Sequence, residues 1–255
     1  MVSERGERQM RLWTLAVFGV TVGCGGTSVV LPPLLPAPGT GSSQLAAVHW
    51  TRTAAEHRAL FLQVYRQAGE RVRSLSAGRA AGTWAVIMDA DETVLDNSEY
   101  QKERASLGLG YTQESWTAWV RREAADTLAG AAAFIRGVRQ LGGRVAVVTN
   151  RYDYECGDTR DNLERLGVEV DLLLCRPSAA ASDKGPRFRA VSDGTAEAGV
   201  PAMEVLLWVG DNIQDFPGLT QDARTGPDSV LAEFGVRFVM LPNPMYGSWE
   251  RNPAR

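Results

Sequence analysis

The sequence predicts an α/β fold, a doubly wound parallel sheet. Three observations predict it. Short apolar, β-branched runs alternate with amphipathic stretches of helical period through most of the chain. The runs are continuously apolar, as strands covered on both faces are. Two of them lead straight into carboxylates, at "MDADETVLDNSEY" (Met88–Tyr100) and "GDNIQD" (Gly210–Asp215). In a parallel sheet, ligands bind beyond the C-terminal strand ends.

The elements follow in order. "MRLWTLAVFGVTVGCGG" (Met10–Gly26) has Arg11, an apolar run from Leu12 to Val22, and then small residues. The run is shorter than the ~20 residues that cross a bilayer and suits the core of a secretory signal. Residues 1–24 therefore read as a signal peptide, with Met10 an alternative start to Met1. Cys24 stands where a bacterial lipobox places its lipidated cysteine, although Thr21 replaces the usual Leu. Lipidation at Cys24, with anchorage to a membrane, stands beside simple cleavage. Residues 25–44, rich in Pro, Gly and Ser and uncharged, read as a tether.

Leu45 to Ser76 has helical periodicity, and Thr83–Ile87 is a buried strand. Tyr111–Ala125 reads as a helix with Thr112 at its N-cap and Glu114 and Ser115 in the first turn. Asp126–Gly143 is an amphipathic helix closed by glycines. Arg144–Asn150 is a strand, Gly157–Val168 a helix and Val170–Cys175 a strand. Lys184–Gly199 starts as a helix, and Glu204–Asn212 and Gly235–Leu241 are strands.

Composition excludes several functions. The 255 residues carry a net charge of −3, which gives no footing for a nucleic-acid polymer. There are 2 histidines, His49 and His57, read as surface residues on a helix and its approach, so a His-rich zinc site or a Ser–His–Asp triad is disfavoured. Cys156 and Cys175 lack C-x-x-C spacing. A disulfide in an oxidising compartment and two buried thiols both fit.

The chemistry gathers at the strand ends. Asp89 and Asp91 end the first strand, Thr149 and Asn150 the second, Asp211 and Asp215 the last long one, and Lys184 opens a helix. Such carboxylates suit a hard cation with oxygen ligands, Mg²⁺ foremost. An Asp can attack phosphorus and form an aspartyl-phosphate. A second Asp two residues on can protonate the departing alkoxide, and Lys184 offsets phosphoryl charge.

"DADET" (Asp89–Thr93) resembles the D-x-D-x-T motif of haloacid dehalogenase (HAD) superfamily phosphatases. "DADETVLDNSEY", "GDNIQDF" (Gly210–Phe216) and "LPNPMYGSWE" (Leu241–Glu250) are similar, more narrowly, to the class C, lipoprotein-type acid phosphatases of bacteria. The resemblance spans Trp50 to Glu250. It implies a Rossmann-like, HAD-like domain over residues 45–255, and adds to the sheet a small, mainly helical cap with elements at about 45–80 and 96–125. It also implies an exported, Mg²⁺-dependent acid phosphatase acting on small phosphomonoesters such as nucleoside monophosphates and aryl phosphates. Asp89 is then the nucleophile and a metal ligand. Asp91 is the acid and base, with its main-chain oxygen on the metal, and Asp211 is the further metal ligand. Thr149, Asn150 and Lys184 hold phosphate. Asp215 orients a metal-bound water or Lys184, and Thr93 braces the turn.

Trp116 and Tyr246 are the aromatics expected to sandwich a leaving group, against a plainer reading as packing. Glu92 and Asp96 are expected to brace the loop and cap the next helix. Arg151 reads either as a phosphate contact or as a surface ion pair. A non-catalytic surface lipoprotein and a more selective sugar-phosphate phosphatase are the rival functions. The oligomeric state stays open, a dimer included.

Overall fold

A computed structural model describes residues 40–253, with side chains from Gln44 onward. The signal peptide, Cys24 and all but the end of the tether lie outside the described residues.

Seven α-helices and seven strands are described, beside short 3-10 turns: α1 (Thr40–Thr53), α2 (Ala55–Leu75), β1 (Trp84–Met88), β2 (Leu95–Asp96), α3 (Ser98–Ser106), α4 (Gln113–Val120), β3 (Asp126–Thr127), α5 (Ala131–Gln140), β4 (Arg144–Tyr152), α6 (Cys156–Arg165), β5 (Leu172–Arg176), α7 (Gly185–Asp193), β6 (Glu204–Gly210) and β7 (Phe238–Met240). The main sheet has the order β5-β4-β1-β6-β7, and every pairing in it is parallel. The chain moves outward from β1 through β4 to β5, then returns past β1 to β6. The reversal makes the end of β1 a topological switch point, where a crevice opens.

Both faces of the sheet are covered. Val86 and Met88 of β1 pack with Phe61 and Tyr65 of α2 and Ile135 of α5. Ala85 and Ile87 face the other way, among Phe188 and Val191 of α7 and Phe216. This alternation explains why the run is apolar at every position.

β2 and β3 pair antiparallel and bracket α3 and α4, which are inserted between β1 and α5. α1 joins this group, since Arg52 bonds Ser98 at 3.1 Å and pairs with Glu99 at 2.6 Å. α2 instead belongs to the layer covering the sheet. Among the described residues, no helix is long and apolar enough to cross a membrane.

The structure departs from the sequence reading in a few places. The helix expected to start at Leu45 begins at Thr40 and breaks at Ala54, whose backbone is extended. Thr53 bonds its hydroxyl back to the His49 carbonyl at 2.7 Å, a local contact that competes with continued helix. The helix expected from Asp126 starts only at Ala131. Its first residues form β3, and Gly130 then turns the chain at φ 93°, a conformation glycine adopts without strain. The N-cap at Thr112 is as expected, with Ser115 completing a reciprocal pair of bonds. Cys156 and Cys175 form a disulfide that ties the start of α6 to β5.

His57 is a correction. It is buried rather than on the surface, wedged between Trp50 at 5.3 Å and Phe61 at 4.5 Å. Burial lowers its pKa below 6.5, with the Asp96 charge opposing. A depressed histidine contributes stability that is present above its unfolded pKa and is lost as pH falls through the folded value. His57→Phe, which keeps the aromatic contacts and removes the titration, is therefore expected to flatten the fall in melting temperature below about pH 6.5. Thermal scans from pH 4.5 to 7.5 check this; an unchanged slope would assign the pH dependence to other groups.

Candidate active site

The end of β1 builds one side of the crevice. The Asp89 N–H continues the sheet ladder to the Val209 carbonyl at 2.9 Å, which points the next residues out of the strand end. The chain then turns sharply, with the N–H groups of Val94 and Leu95 both meeting the Ala90 carbonyl and Glu92 at φ 52°. The buried Glu92 carboxylate fixes this turn. It accepts the Asn97 N–H at 2.9 Å and the hydroxyl of Tyr246 from the C-terminal segment. Asp96 lies one residue before the N-cap Asn97 and accepts the Ser98 N–H at 2.8 Å. Glu92 braces the turn as expected, whereas Asp96 supports the start of α3 from outside the cap position.

β6 builds the opposite side. Asp215 follows β6 in a short 3-10 turn, and its carboxylate accepts the Asn212 N–H at 2.9 Å. Gly210 makes room for it, because a Cβ there would lie 2.4 Å from Asp215. Asp211 accepts from Thr93 at 3.3 Å and from Asn243 at 2.8 Å. Thr93 thus ties the two acidic motifs together.

Lys184 enters from the start of α7 and is 3% exposed. Its ammonium bonds Asp89 at 2.5 Å and Asp215 at 2.7 Å. Burial pulls its pKa down, but the two carboxylates outweigh that and raise it. Asp89 is pushed up to about 7, mainly by burial, with Asp215 and Asp91 adding to the rise and Lys184 opposing it. Burial and the neighbours Asp215 and Asp89 hold Asp211 well above the ordinary range. Oxygens of Asp89, Asp211 and Asp215 lie within 4.8 Å of one another. One ammonium does not balance three gathered carboxylates, and the surplus charge suits a hard divalent cation. Asp215 is the poorest ligand of the three, since one oxygen already meets Lys184 and the other Asn212.

These groups line one cavity of about 810 Å³, together with Asp91, Asn150, Arg151, Trp116 and Tyr246. The two expected aromatics thus reach the same space from segments far apart in the chain. Trp116 also packs edge-on to Tyr100 at 5.1 Å, so its packing role holds as well. Thr149 is fully buried and does not line the cavity; its hydroxyl accepts the Arg151 N–H at 3.1 Å.

The sequence from residue 35 to 249 matches the family described as HAD superfamily, subfamily IIIB (Acid phosphatase). The chain belongs to this family. The protein is an acid phosphatase, a hydrolase of phosphoric monoesters. It is similar to the class C acid phosphatase from Bacillus anthracis at 30% identity, with a TM-score of 0.74 and coverage of 82% of this chain and 87% of that chain. A class C acid phosphatase from Bacillus anthracis with tungstate bound matches at 30% identity with a TM-score of 0.73, over the same shares of both chains.

Sequence reading misplaced one residue of the acid phosphatase site and missed others. Of the two readings of Arg151, the surface ion pair is corrected, because the guanidinium that makes the pair is buried. Arg151 is 2% exposed and pairs with Asp91 at 2.7 Å. Arg187 bonds the Thr149 carbonyl, and the Asn150 side chain at 2.6 Å. Asn97 and Asn243 hold Asp91 and Asp211, each by a 2.8–2.9 Å bond. The asparagines had a signal, since both lie inside the quoted motif stretches. Arg151 and Arg187 had none beyond neighbouring a phosphate-site residue.

Proposed function

We propose that this acid phosphatase is exported and Mg²⁺-dependent, and that it hydrolyses small phosphomonoesters through an aspartyl-phosphate on Asp89. The observation that carries the reading is Asp89 itself. It sits at the switch point beyond β1, held by Lys184 and facing Asp211 across a surplus of negative charge. The Asp89 and Asp211 carboxylates and the Asp91 main-chain oxygen would hold Mg²⁺, which when bound offsets phosphoryl charge.

In the first step the Asp89 carboxylate attacks phosphorus and the P–O bond to the leaving alcohol breaks. Asp91 gives that oxygen its proton. In the second step Asp91 takes a proton from water, whose oxygen attacks phosphorus. The acyl-phosphate P–O bond then breaks, releasing phosphate and restoring both aspartates. Lys184 and Asn150 bind the phosphoryl oxygens, and Asp215 keeps Lys184 aligned. Thr149 supports this site from behind the cavity wall. A class C acid phosphatase from Bacillus anthracis is known with tungstate bound, a tetrahedral oxyanion like phosphate, which supports the reading that this chain takes a phosphoryl group.

The aromatic walls at Trp116 and Tyr246 favour nucleoside monophosphates and aryl phosphates over sugar phosphates. Their 5′-nucleotidase-type use, phosphate stripping outside the cytoplasm, fits the disulfide, which persists in oxidising compartments. Anchorage through Cys24 belongs to the same reading, and mass spectrometry of the mature N-terminus tests it.

EDTA treatment is expected to remove nearly all activity on AMP and 4-nitrophenyl phosphate, and added Mg²⁺ to restore it. Full activity in EDTA would overturn the metal requirement.

A further inference from the structure

We propose that Arg151, with Asn97, is the positioning device for the acid–base carboxylate of Asp91, and that it leaves a single oxygen of Asp91 to handle protons. The inference rests on the acid–base role proposed for Asp91. Three donors converge on Asp91 Oδ1: Arg151 Nε at 2.9 Å, Arg151 Nη2 at 2.7 Å and Asn97 Nδ2 at 2.9 Å. Among the described residues, no donor meets Oδ2. The side chain is 16% exposed and lines the cavity, so Oδ2 is the oxygen within reach of a substrate.

The holder is itself held. The Arg151 side chain is 1% exposed. Its Nη1 meets Thr159 Oγ1 at 3.1 Å and its Nη2 also reaches Asn97 Oδ1 at 3.2 Å. Trp119 donates to the same Asn97 oxygen at 2.8 Å, which fixes the amide so that its NH₂ points at Asp91. The Arg151 main-chain N–H is anchored on Thr149. A buried guanidinium is planar, permanently charged and pre-organised, and it holds two N–H groups on one oxygen in a fixed plane, where a lysine ammonium rotates. Such an arrangement locks the carboxylate rotation, as a proton donor aimed at one leaving oxygen requires.

The step that depends on it is transfer of the Asp91 Oδ2 proton to the leaving alkoxide as Asp89 bonds to phosphorus. That transfer matters greatly for a nucleoside 5′-alkoxide and little for 4-nitrophenolate, which leaves without a proton. The value of kcat/KM reports only the steps up to alcohol departure. Arg151→Met is therefore expected to lower kcat/KM on AMP by about 100-fold and on 4-nitrophenyl phosphate by less than about 10-fold, in line with the usual worth of general acid catalysis. Arg151→Lys is expected to show the same asymmetry in weaker form. Asp91→Ala should show it most strongly, and adding Arg151→Met to Asp91→Ala should cost little more.

Equal losses on the two esters, or a full further loss in the Asp91→Ala background, would overturn the positioning role. If Asp91→Ala itself shows no asymmetry while Asp89→Asn is dead, the acid–base reading of Asp91 has failed instead. Should Arg151→Met not fold, Arg151→Lys and Asn97→Ala carry the same comparison, and equal losses in both would reject the proposal.

Discussion

Asp89→Asn is expected to lower turnover of AMP and aryl phosphates by about 10⁴-fold or more, as removal of a covalent nucleophile does. The amide is nearly isosteric with the carboxylate, but its oxygen is a poor nucleophile and carries no charge for a cation. The fold should survive. The substitution removes one member of a crowded buried acidic group, so the melting temperature should hold or rise. Separating the two readouts is the purpose of the experiment. Steady-state rates measure the chemistry and thermal denaturation measures the fold. Trapping with fluoride-based phosphate mimics, or acid quench followed by mass spectrometry of the Asp89 peptide, tests for phosphate on that residue in the wild type. A variant with near wild-type turnover would reject the aspartyl-phosphate route.

Lys184→Met is expected to damage both activity and stability. Its ammonium is buried between Asp89 and Asp215. Removing one partner from a buried ionic cluster leaves the others uncompensated and costs about 3–5 kcal/mol. Activity should fall by about 10²–10³-fold, the scale seen when a preorganised electrostatic contact to a developing charge is lost. The stability loss has a distinctive signature. In the Lys184→Met background, adding Asp215→Asn should recover part of it, because one of the two stranded charges is gone. Urea midpoints of the single and double variants measure this. Strictly additive losses would show that the three groups do not share a charge balance.

The two predictions illustrate what was legible. Asp89, Asp91, Asp211 and Asp215 were readable because each follows an apolar strand, and a parallel sheet brings strand ends together whatever the connecting chain does. Lys184 was readable by family position, and the structure places it in contact with Asp89 and Asp215. Thr149 is the exception among the phosphate residues. It is fully buried with its hydroxyl taken by the Arg151 N–H, and it does not line the cavity, whereas Asn150 does.

The burial of Arg151 and its pairing with Asp91 were not legible, because a charged residue beside a strand end gives no local sign of burial. Its environment is made by Asn97 of the turn into the cap, by Thr159 of α6 and by the Trp116 ring 5.5 Å away. The burial of His57 is of the same kind. It depends on Trp50 lying across a helix break that periodicity does not reveal.

The sequence by itself determined the sheet, the order of its motifs, the acidic residues at its strand ends and the family. Those features are local, since apolar period and motif spacing are properties of short stretches. Only the tertiary structure decided which atoms compensate which charges: Lys184 between Asp89 and Asp215, Arg151 and Asn97 on one oxygen of Asp91, and Asn243 on Asp211. Pairing is set by contacts across many tens of residues, and electrostatic energy depends on distances and burial that a linear pattern does not carry.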